Sequence, residues 1–177
     1  MKRPIGIVGL GPMGKNIARN LLNADFLVYG YDIRSERRHD LESCGGISLS
    51  SAAEIADSID LLITSLPNSS ALDLVINDVL KNPRPDLVIV ETSTLTVDQK
   101  LRAAKRLRDD GISLLDCPIS GTPLMLANMA ASIYVSGKEE LYTKNHSVFD
   151  GFTATSFFVG PVGNGTRMKL LANYLVH

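Results

Sequence analysis

The sequence lacks the features that mark three broad classes of protein. Its 177 residues include two cysteines, Cys44 and Cys117, which match neither a disulfide framework nor a zinc pattern. No apolar run approaches the ~20 residues needed to cross a bilayer. Eighteen basic and nineteen acidic residues give a formal net charge of −1, so no global field favours nucleic acid or an anionic membrane. These absences favour a cytoplasmic protein with no metal site and with neither nucleic acid nor membrane as a partner.

The composition is that of a folded domain, with 45% hydrophobic and 21% charged residues. Short apolar runs alternate with helix-like segments. The predicted strands are residues 4–8, 26–31, 61–66, 87–91, 113–116, 132–135 and 155–159, and the clearest helices are residues 13–23 and 97–110. Continuous apolar runs such as Leu61-Leu62-Ile63 indicate strands buried on both faces. The order predicts an α/β fold with a doubly wound, mainly parallel sheet of the Rossmann type.

The predicted helix 97–110 carries both apolar and basic residues. Leu101, Ala104 and Leu107 are expected on one buried face. Its basic run begins at Lys100 and ends at Arg108. Because these cations alternate with the apolar face, they predict a solvated surface rather than a nucleic-acid contact.

A glycine-rich loop follows the first predicted strand. Its G-x-G-x-x-G spacing is formed by Gly9-Leu10-Gly11-Pro12-Met13-Gly14. The first glycine allows a tight turn, the second lets the backbone approach a pyrophosphate, and the third lets helix pack on strand. The helix that follows offers free N–H groups to phosphates. With a strand before it and a helix after it, this loop predicts a dinucleotide site.

The second predicted strand ends in Asp32, at the separation expected for a carboxylate that accepts hydrogen bonds from the adenosine ribose. Such a carboxylate should repel the 2′-phosphate of NADP, which favours NAD. The run from Arg34 to Arg38 could instead hold that phosphate, although a solvated helix start is the more common use of such a run. NAD is therefore predicted, with NADP left possible.

Three further segments are expected near the cofactor. Leu66-Pro67 and Thr94 follow predicted strands, and ligands in doubly wound sheets bind at the carboxyl ends of strands. Near the C-terminus, Lys169 and Asn173 are four residues apart and so lie on one helical face.

These motifs together resemble the 3-hydroxyacid dehydrogenase family, which includes 3-hydroxyisobutyrate dehydrogenase. The cofactor domain of this family is shared with 6-phosphogluconate dehydrogenase. The resemblance covers Ile5 to Tyr174 and includes Asp116-Cys117-Pro118-Ile119-Ser120-Gly121 and the glycines before Lys169. It implies hydride transfer between NAD(P) and a small 3-hydroxy acid or semialdehyde. The dinucleotide would be held by the glycine loop, Asp32, Leu66, Pro67 and Thr94.

The resemblance also implies roles in substrate chemistry. Lys169 would be the catalytic general acid/base, Asn173 would orient the substrate, and Ser120, Gly121 and Thr122 would bind its carboxylate. Two positions depart from the family, since Thr122 and Met129 stand where many relatives have glycine. The His-x-x-Lys-x-x-His-Asn-Gly pattern of the decarboxylating 6-phosphogluconate enzymes is absent, which disfavours that activity.

The resemblance predicts two parts of the chain. Residues 1–163 would form the dinucleotide-binding domain, and residues 164–177 would begin an interdomain helix, with the family's all-helical C-terminal domain absent. That domain would complete the pocket and make the full-length protein a homo-oligomer, so this fragment is expected to be inactive or weak. The alternative is a non-catalytic dinucleotide-binding or redox-sensing interaction module.

Overall fold

A computed structural model describes residues 3–176 of the chain. Within that range the strands are β1 (Pro4–Val8), β2 (Leu27–Tyr31), β3 (Ile47–Ser48), β4 (Leu61–Thr64), β5 (Val88–Glu91), β6 (Ser113–Asp116), β7 (Ile119–Ser120), β8 (Ser132–Val135) and β9 (Thr155–Phe158). The helices are α1 (Pro12–Asn23), α2 (Ser35–Ser43), α3 (Ala52–Ser58), α4 (Ser69–Val79), α5 (Val97–Asp109), α6 (Pro123–Ala127), α7 (Glu139–Lys144), α8 (His146–Asp150) and α9 (Asn164–Val176). Every predicted strand is present, with bounds within two residues of the prediction.

Six strands form one sheet in the order β3-β2-β1-β4-β5-β6, and every neighbouring pair is parallel. This is the order of doubly wound dinucleotide-binding domains, so the predicted fold class is confirmed. The order reverses at β1, which lies between β2 and β4. Ligands bind such sheets at that switch point, outside the carboxyl ends of the strands.

Apolar side chains cover both faces of the main sheet. On β4, Leu61 and Ile63 belong to one hydrophobic cluster and Leu62 to the other. Strand β5 alternates in the same way, with Val88 and Val90 on one face and Ile89 on the other. Because successive strand residues point to opposite faces, each continuous apolar run serves two cores.

The last strands form a second sheet that the sequence did not predict. Its order is β7-β8-β9, with β7 antiparallel and β9 parallel to β8. Residues 132–135 and 155–159 were expected in the main sheet, and that expectation is wrong. The main ladder ends just after β6, where the N–H of Cys117 donates to the Glu91 carbonyl oxygen at 2.9 Å. Asp116 then forms an isolated antiparallel bridge with Ser136 that joins the two sheets.

The predicted face of α5 is partly wrong. Leu101 is 41% exposed, and the buried positions of the helix are Lys100, Ala103 and Leu107. The fully buried Lys100 also contradicts the expectation that the whole basic run is solvated. Its partners belong to the site described below. Over residues 3–176, no helix has the length and hydrophobicity of a membrane span.

Candidate functional site

Two of the three loop glycines are required by the fold itself. Gly9 has a φ of 91°, and a Cβ atom there would lie 2.1 Å from the Ser65 carbonyl oxygen. A Cβ atom on Gly14 would lie 1.8 Å from the carbonyl oxygen of Gly9. Any side chain at either position would therefore collide with backbone. The absence of side chains at these two glycines lets the start of α1 pack closely against the end of β1 and the segment after β4.

Gly11 differs because its surroundings are open. The nearest atom to a Cβ built on it is Arg37 Nη1, 3.6 Å away. Gly11 is the N-cap residue of α1, no side chain caps the helix, and Pro12 occupies its first turn. The first N–H groups of a helix have no intrahelical acceptor. The open face of Gly11 leaves room for a pyrophosphate to accept hydrogen bonds from these N–H groups. The loop therefore fits a dinucleotide.

Asp32 connects this loop to the end of β2. Its Oδ2 atom accepts a hydrogen bond from the N–H of Leu10 at 2.8 Å, and its Oδ1 atom accepts one from the N–H of Arg34 at 2.9 Å. Burial alone would raise the pKa of Asp32. The hydrogen bonds from Arg34, Leu10 and Arg37 outweigh burial and hold its pKa below the ordinary value. The carboxylate is thus kept ionised beside the glycine loop.

Two arginines of the run after Asp32 are engaged with it rather than solvated. Arg37 Nη1 donates to Asp32 Oδ2 at 3.1 Å, and Arg38 Nη1 donates to the Asp32 carbonyl oxygen at 2.6 Å. Arg37 is also the nearest side chain to the open face of Gly11. The expectation of a fully solvated run is therefore wrong for Arg37 and Arg38.

The predicted reactive residues meet in one pocket. Lys169 Nζ donates to Thr94 Oγ1 at 3.2 Å. The pocket between α9 and the turn after β5 is lined by Lys169, Asn173 and Thr94, together with Ser93, Leu95, Pro118, Thr166 and Leu170. The structure thus brings three predicted site residues together. It also links them to Leu66, whose N–H donates to Ser93 Oγ at 2.8 Å.

Lys169 is half-buried in this pocket. Desolvation by burial lowers its pKa, and the positive charge of Lys100 lowers it further. A larger fraction of Lys169 is therefore neutral near physiological pH than for an exposed lysine. A neutral amine is the form that can accept a proton.

Helix α9 begins on groups supplied by two distant strands. Asp116 Oδ2 accepts from the N–H of Thr166, and Asp116 Oδ1 accepts from the Thr166 hydroxyl, each at 2.9 Å. Ser136 Oγ accepts from the N–H of Gly165 at 2.9 Å. A Cβ atom on Gly165 would lie 2.5 Å from the Asp116 carbonyl oxygen, so only glycine allows this approach. The first turn of the helix that carries Lys169 is fixed from outside the helix.

A buried charged cluster of Glu91, Lys100 and Asp116 lies between α9 and the main sheet. All three side chains are fully buried. Lys100 Nζ bonds Glu91 Oε2, the Glu91 carbonyl oxygen at 3.2 Å, and Asp116 Oδ1 at 3.2 Å. Sequence reasoning missed this cluster. The only indication in the sequence was that Glu91 and Asp116 each end an apolar strand. Buried carboxylates at such positions need a counter-charge nearby.

Cys117 follows Asp116 and is fully buried. Burial raises the pKa of its thiol well above the ordinary value, and the charge of Asp116 adds to that effect. The prediction that Cys117 is a small packing side chain is therefore confirmed.

The predicted carboxylate-binding segment lies outside the residues that line the Lys169 pocket. Ser120 ends β7. Gly121 has a φ of 146°, and a Cβ atom on it would lie only 2.9 Å from Ala131 Cβ. Thr122 Oγ1 accepts from the N–H of Met125 at 3.2 Å and so caps α6. The roles of Ser120, Gly121 and Thr122 in substrate binding stay predictions.

Helix α6, which follows this segment, is fastened to the dinucleotide helix α1. The side-chain amide of Asn16 donates to the Pro123 carbonyl oxygen at 2.9 Å, and that of Asn20 donates to the Leu126 carbonyl oxygen at 2.8 Å. The two predicted binding segments are thereby held in one rigid arrangement.

Comparison with known proteins agrees with this geometry. The family described as the NAD binding domain of 6-phosphogluconate dehydrogenase matches residues 4–160. The chain belongs to that family. The predicted NAD-binding domain is thereby confirmed, and the glycine loop at Gly9–Gly14 lies at the start of the matched range.

Individual relatives are dehydrogenases. The chain is 27% identical to L-threonate dehydrogenase of Cupriavidus necator, over 99% of the chain and 60% of the relative. It is 31% identical to NAD-dependent L-serine dehydrogenase of Pseudomonas aeruginosa, over 98% and 59%. The structure of Mycobacterium tuberculosis 3-hydroxyisobutyrate dehydrogenase, described with L-serine, matches with a TM-score of 0.94 at 26% identity, over 99% and 60%. The chain spans about 60% of the length of these relatives.

Proposed function

We propose that this NAD-binding domain serves an oxidoreductase that transfers a hydride between NAD and a small 3-hydroxy acid or semialdehyde. The observation that carries the proposal is the Lys169–Thr94 contact at 3.2 Å in a pocket that also contains Asn173. Similarity to L-threonate, L-serine and 3-hydroxyisobutyrate dehydrogenases supports the substrate class.

The dinucleotide would be held by residues at the switch point of the sheet. The N–H groups at the start of α1 and the open face of Gly11 suit the pyrophosphate. Asp32 suits the ribose hydroxyls, and Leu66 and Pro67 lie on the adjoining strand end. When bound, NAD supplies the hydride acceptor and NADH the hydride donor.

Lys169 would handle the proton that accompanies the hydride. In oxidation its neutral amine accepts the proton of the substrate hydroxyl, and in reduction its ammonium returns that proton to the oxygen. The hydroxyl of Thr94 holds Nζ in place. Asn173, one turn further along α9, offers an amide donor and an acceptor to the same molecule.

Substrate binding would extend beyond the pocket. The Thr122 hydroxyl accepts the Met125 N–H, and its own proton remains available to a carboxylate beside Ser120 and Gly121. Helix α9 exposes an apolar face at Leu170, Leu171, Tyr174 and Leu175. This face supports the proposal that an all-helical domain covers α9, completes the pocket and carries an oligomer interface. A cytoplasmic location belongs to the same proposal and is supported by the free cysteines Cys44 and Cys117.

The full-length protein allows a direct test. Quenching or transfer of NADH fluorescence should show binding, and absorbance of NADH should then report turnover with a series of 3-hydroxy acids and their semialdehydes. Binding together with turnover of at least one member is the expected result. Binding without turnover of any member would instead support a non-catalytic module, and absence of binding would overturn the cofactor assignment.

A further inference from the structure

Lys100 is the largest fully buried polar side chain of α5, and the hydride-transfer chemistry proposed above gives it no role. Its ammonium donates to Glu91 Oε2 and to the Glu91 carbonyl oxygen, and it forms an ion pair with Asp116 Oδ1 at 3.2 Å. Its positive charge is therefore enclosed by two buried carboxylates. Buried ion pairs are seldom needed for stability, because well-packed apolar residues of similar volume often serve as well. The cluster therefore calls for another explanation.

One side of the cluster fixes the turn that bears Thr94. Glu91 ends β5, and its Oε1 atom accepts from the N–H of Ser93 at 3.0 Å. Ser93 in turn accepts the N–H of Leu66 on its hydroxyl oxygen. The carboxylate that bonds Lys100 thus holds the backbone immediately before Thr94.

The other side fixes the helix that bears Lys169. Asp116 accepts both the N–H and the hydroxyl of Thr166 in the first turn of α9. Lys169 lies one turn further along the same helix, and Thr166 itself lines the pocket. Lys100 bonds both carboxylates, so it joins the two walls of the pocket across which Lys169 and Thr94 meet.

The charge of Lys100 also acts on Lys169 directly. The charged groups of the elements that meet at this pocket include Lys100 on α5, Glu91 on β5, Asp116 on β6, and Arg167 on α9, whose guanidinium bonds Asn164. Among them Lys100 is the group whose repulsion lowers the Lys169 pKa, after desolvation.

We propose that Lys100 is a positioning residue of the Lys169 site, which ties the Thr94 turn to helix α9 through Glu91 and Asp116 and places a fixed positive charge close to Lys169. This role rests on the proposed function of Lys169. It does not require Lys100 to touch substrate or cofactor. It predicts that removing the Lys100 charge changes how Lys169 titrates even where the fold and NADH binding survive.

The test measures trace acetylation of Lys169 by peptide mass spectrometry, from about pH 7 to about pH 11, in the full-length protein. In Lys100→Met the labelling profile should move to higher pH, and the rate near neutral pH should fall a few-fold, because an ammonium is not acylated. Lys100→Arg keeps the charge and should restore the profile. Lys105→Met removes an exposed charge from the same helix and should leave the profile in place.

Lys100→Met leaves two buried carboxylates without their counter-charge and could prevent folding. The double variant Lys100→Met with Glu91→Gln removes one of those carboxylate charges and should be less destabilised. Its labelling profile should also move to higher pH, by less than in Lys100→Met, because one carboxylate charge is removed as well. An unmoved profile in either folded variant would overturn the proposal, as would an equal displacement in Lys105→Met. Loss of NADH binding by the unaltered protein would count against the proposed function instead, since lysine labelling needs no turnover.

Discussion

The amine of Lys169 lies 3.2 Å from the hydroxyl of Thr94, although the two residues are 75 positions apart. The contact joins α9 to the turn after β5. It lies outside the carboxyl ends of the strands, where the glycine loop also lies. The Lys169–Thr94 pocket and the glycine loop therefore both lie beside strand ends of the main parallel sheet.

Gly11 and Gly14 should respond differently to alanine. At Gly11 a Cβ atom has no neighbour within 3.5 Å and φ is −66°, so Gly11→Ala should fold normally. Its methyl group would occupy the surface that a pyrophosphate approaches, and NADH affinity should fall at least about tenfold. In Gly14→Ala the new atom meets the Gly9 carbonyl oxygen at 1.8 Å, so the protein should be strongly destabilised. Fluorescence titration and urea unfolding of both variants check this contrast, which fails if Gly11→Ala binds normally.

Asp32 should set the preference for NAD. Asp32→Asn preserves size and one acceptor but removes the charge, so NAD affinity should fall by about tenfold. NADP affinity should fall less, because its 2′-phosphate no longer meets a carboxylate. Asp40→Asn, which breaks the exposed ion pair with Lys15 on the neighbouring helix, is the matched control and should change neither value. Equal losses for both cofactors in Asp32→Asn would refute the assignment.

Lys169→Ala should abolish proton handling while sparing the dinucleotide site. Turnover by the full-length protein should fall by about two to four orders of magnitude, the usual contribution of a general acid or base. NADH binding should be unchanged, since Lys169 lies outside the glycine loop and the Asp32 cluster. Steady-state kinetics and fluorescence titration measure the two quantities. A variant that retains most of its turnover would exclude Lys169 as the general acid/base.

The rate should depend on pH in opposite senses for the two directions. The pKa of Lys169 is lowered by desolvation and then by Lys100, so its neutral form appears at lower pH than for an exposed lysine. Oxidation requires that neutral form and should accelerate as pH rises through this pKa, whereas reduction requires the ammonium and should slow. Rates measured at saturating cofactor in both directions check the signs. The same sense of dependence in both directions would contradict the assignment.

Met129 lies in a backbone conformation that favours glycine. Its φ is 53°, and it directly follows Asn128, the C-cap residue of α6; the N–H of Ala130 bonds the Met125 carbonyl oxygen at 2.8 Å. Glycine at this position of a helix end avoids a strain of about 1 kcal/mol, and the Met129 side chain is 40% exposed. Met129→Gly should therefore raise the free energy of unfolding by roughly that amount in urea titrations. Asn128→Gly is the control, since its φ of −97° offers no strain to relieve.

The main fold was predictable from sequence because its strands carry an unusual signal. Runs such as Leu61-Leu62-Ile63 are apolar on both faces, and a glycine loop with Asp32 at the next strand end defines the cofactor side. Strands β3 and β7 escaped prediction because each has two residues, too few to show any periodicity. The separate second sheet was missed because no local pattern distinguishes its strands from those of the main sheet, to which the bridge between Asp116 and Ser136 joins it.

The grouping of Lys169 with Asn173 was predictable from sequence, but the buried residues that support it were not. The four-residue spacing of Lys169 and Asn173 indicated a shared face, and the structure places both in one pocket with Thr94. Lys100 was predicted to be solvated because the cations of its run alternate with the apolar face of the helix. Only the three-dimensional meeting of α5 with the ends of β5 and β6 shows that Glu91 and Asp116 enclose it.

The start of α9 has a consequence for the order of folding. Its first N–H groups bond Asp116 on β6 and Ser136, just after β8, so the helix gains these partners only once the two sheets have met. Contacts so distant in sequence are slow to form, because the entropy of loop closure must be lost first. We therefore expect the Lys169 amine to acquire its lowered pKa only in the completed fold, where Asp116 and Ser136 hold the first turn of α9.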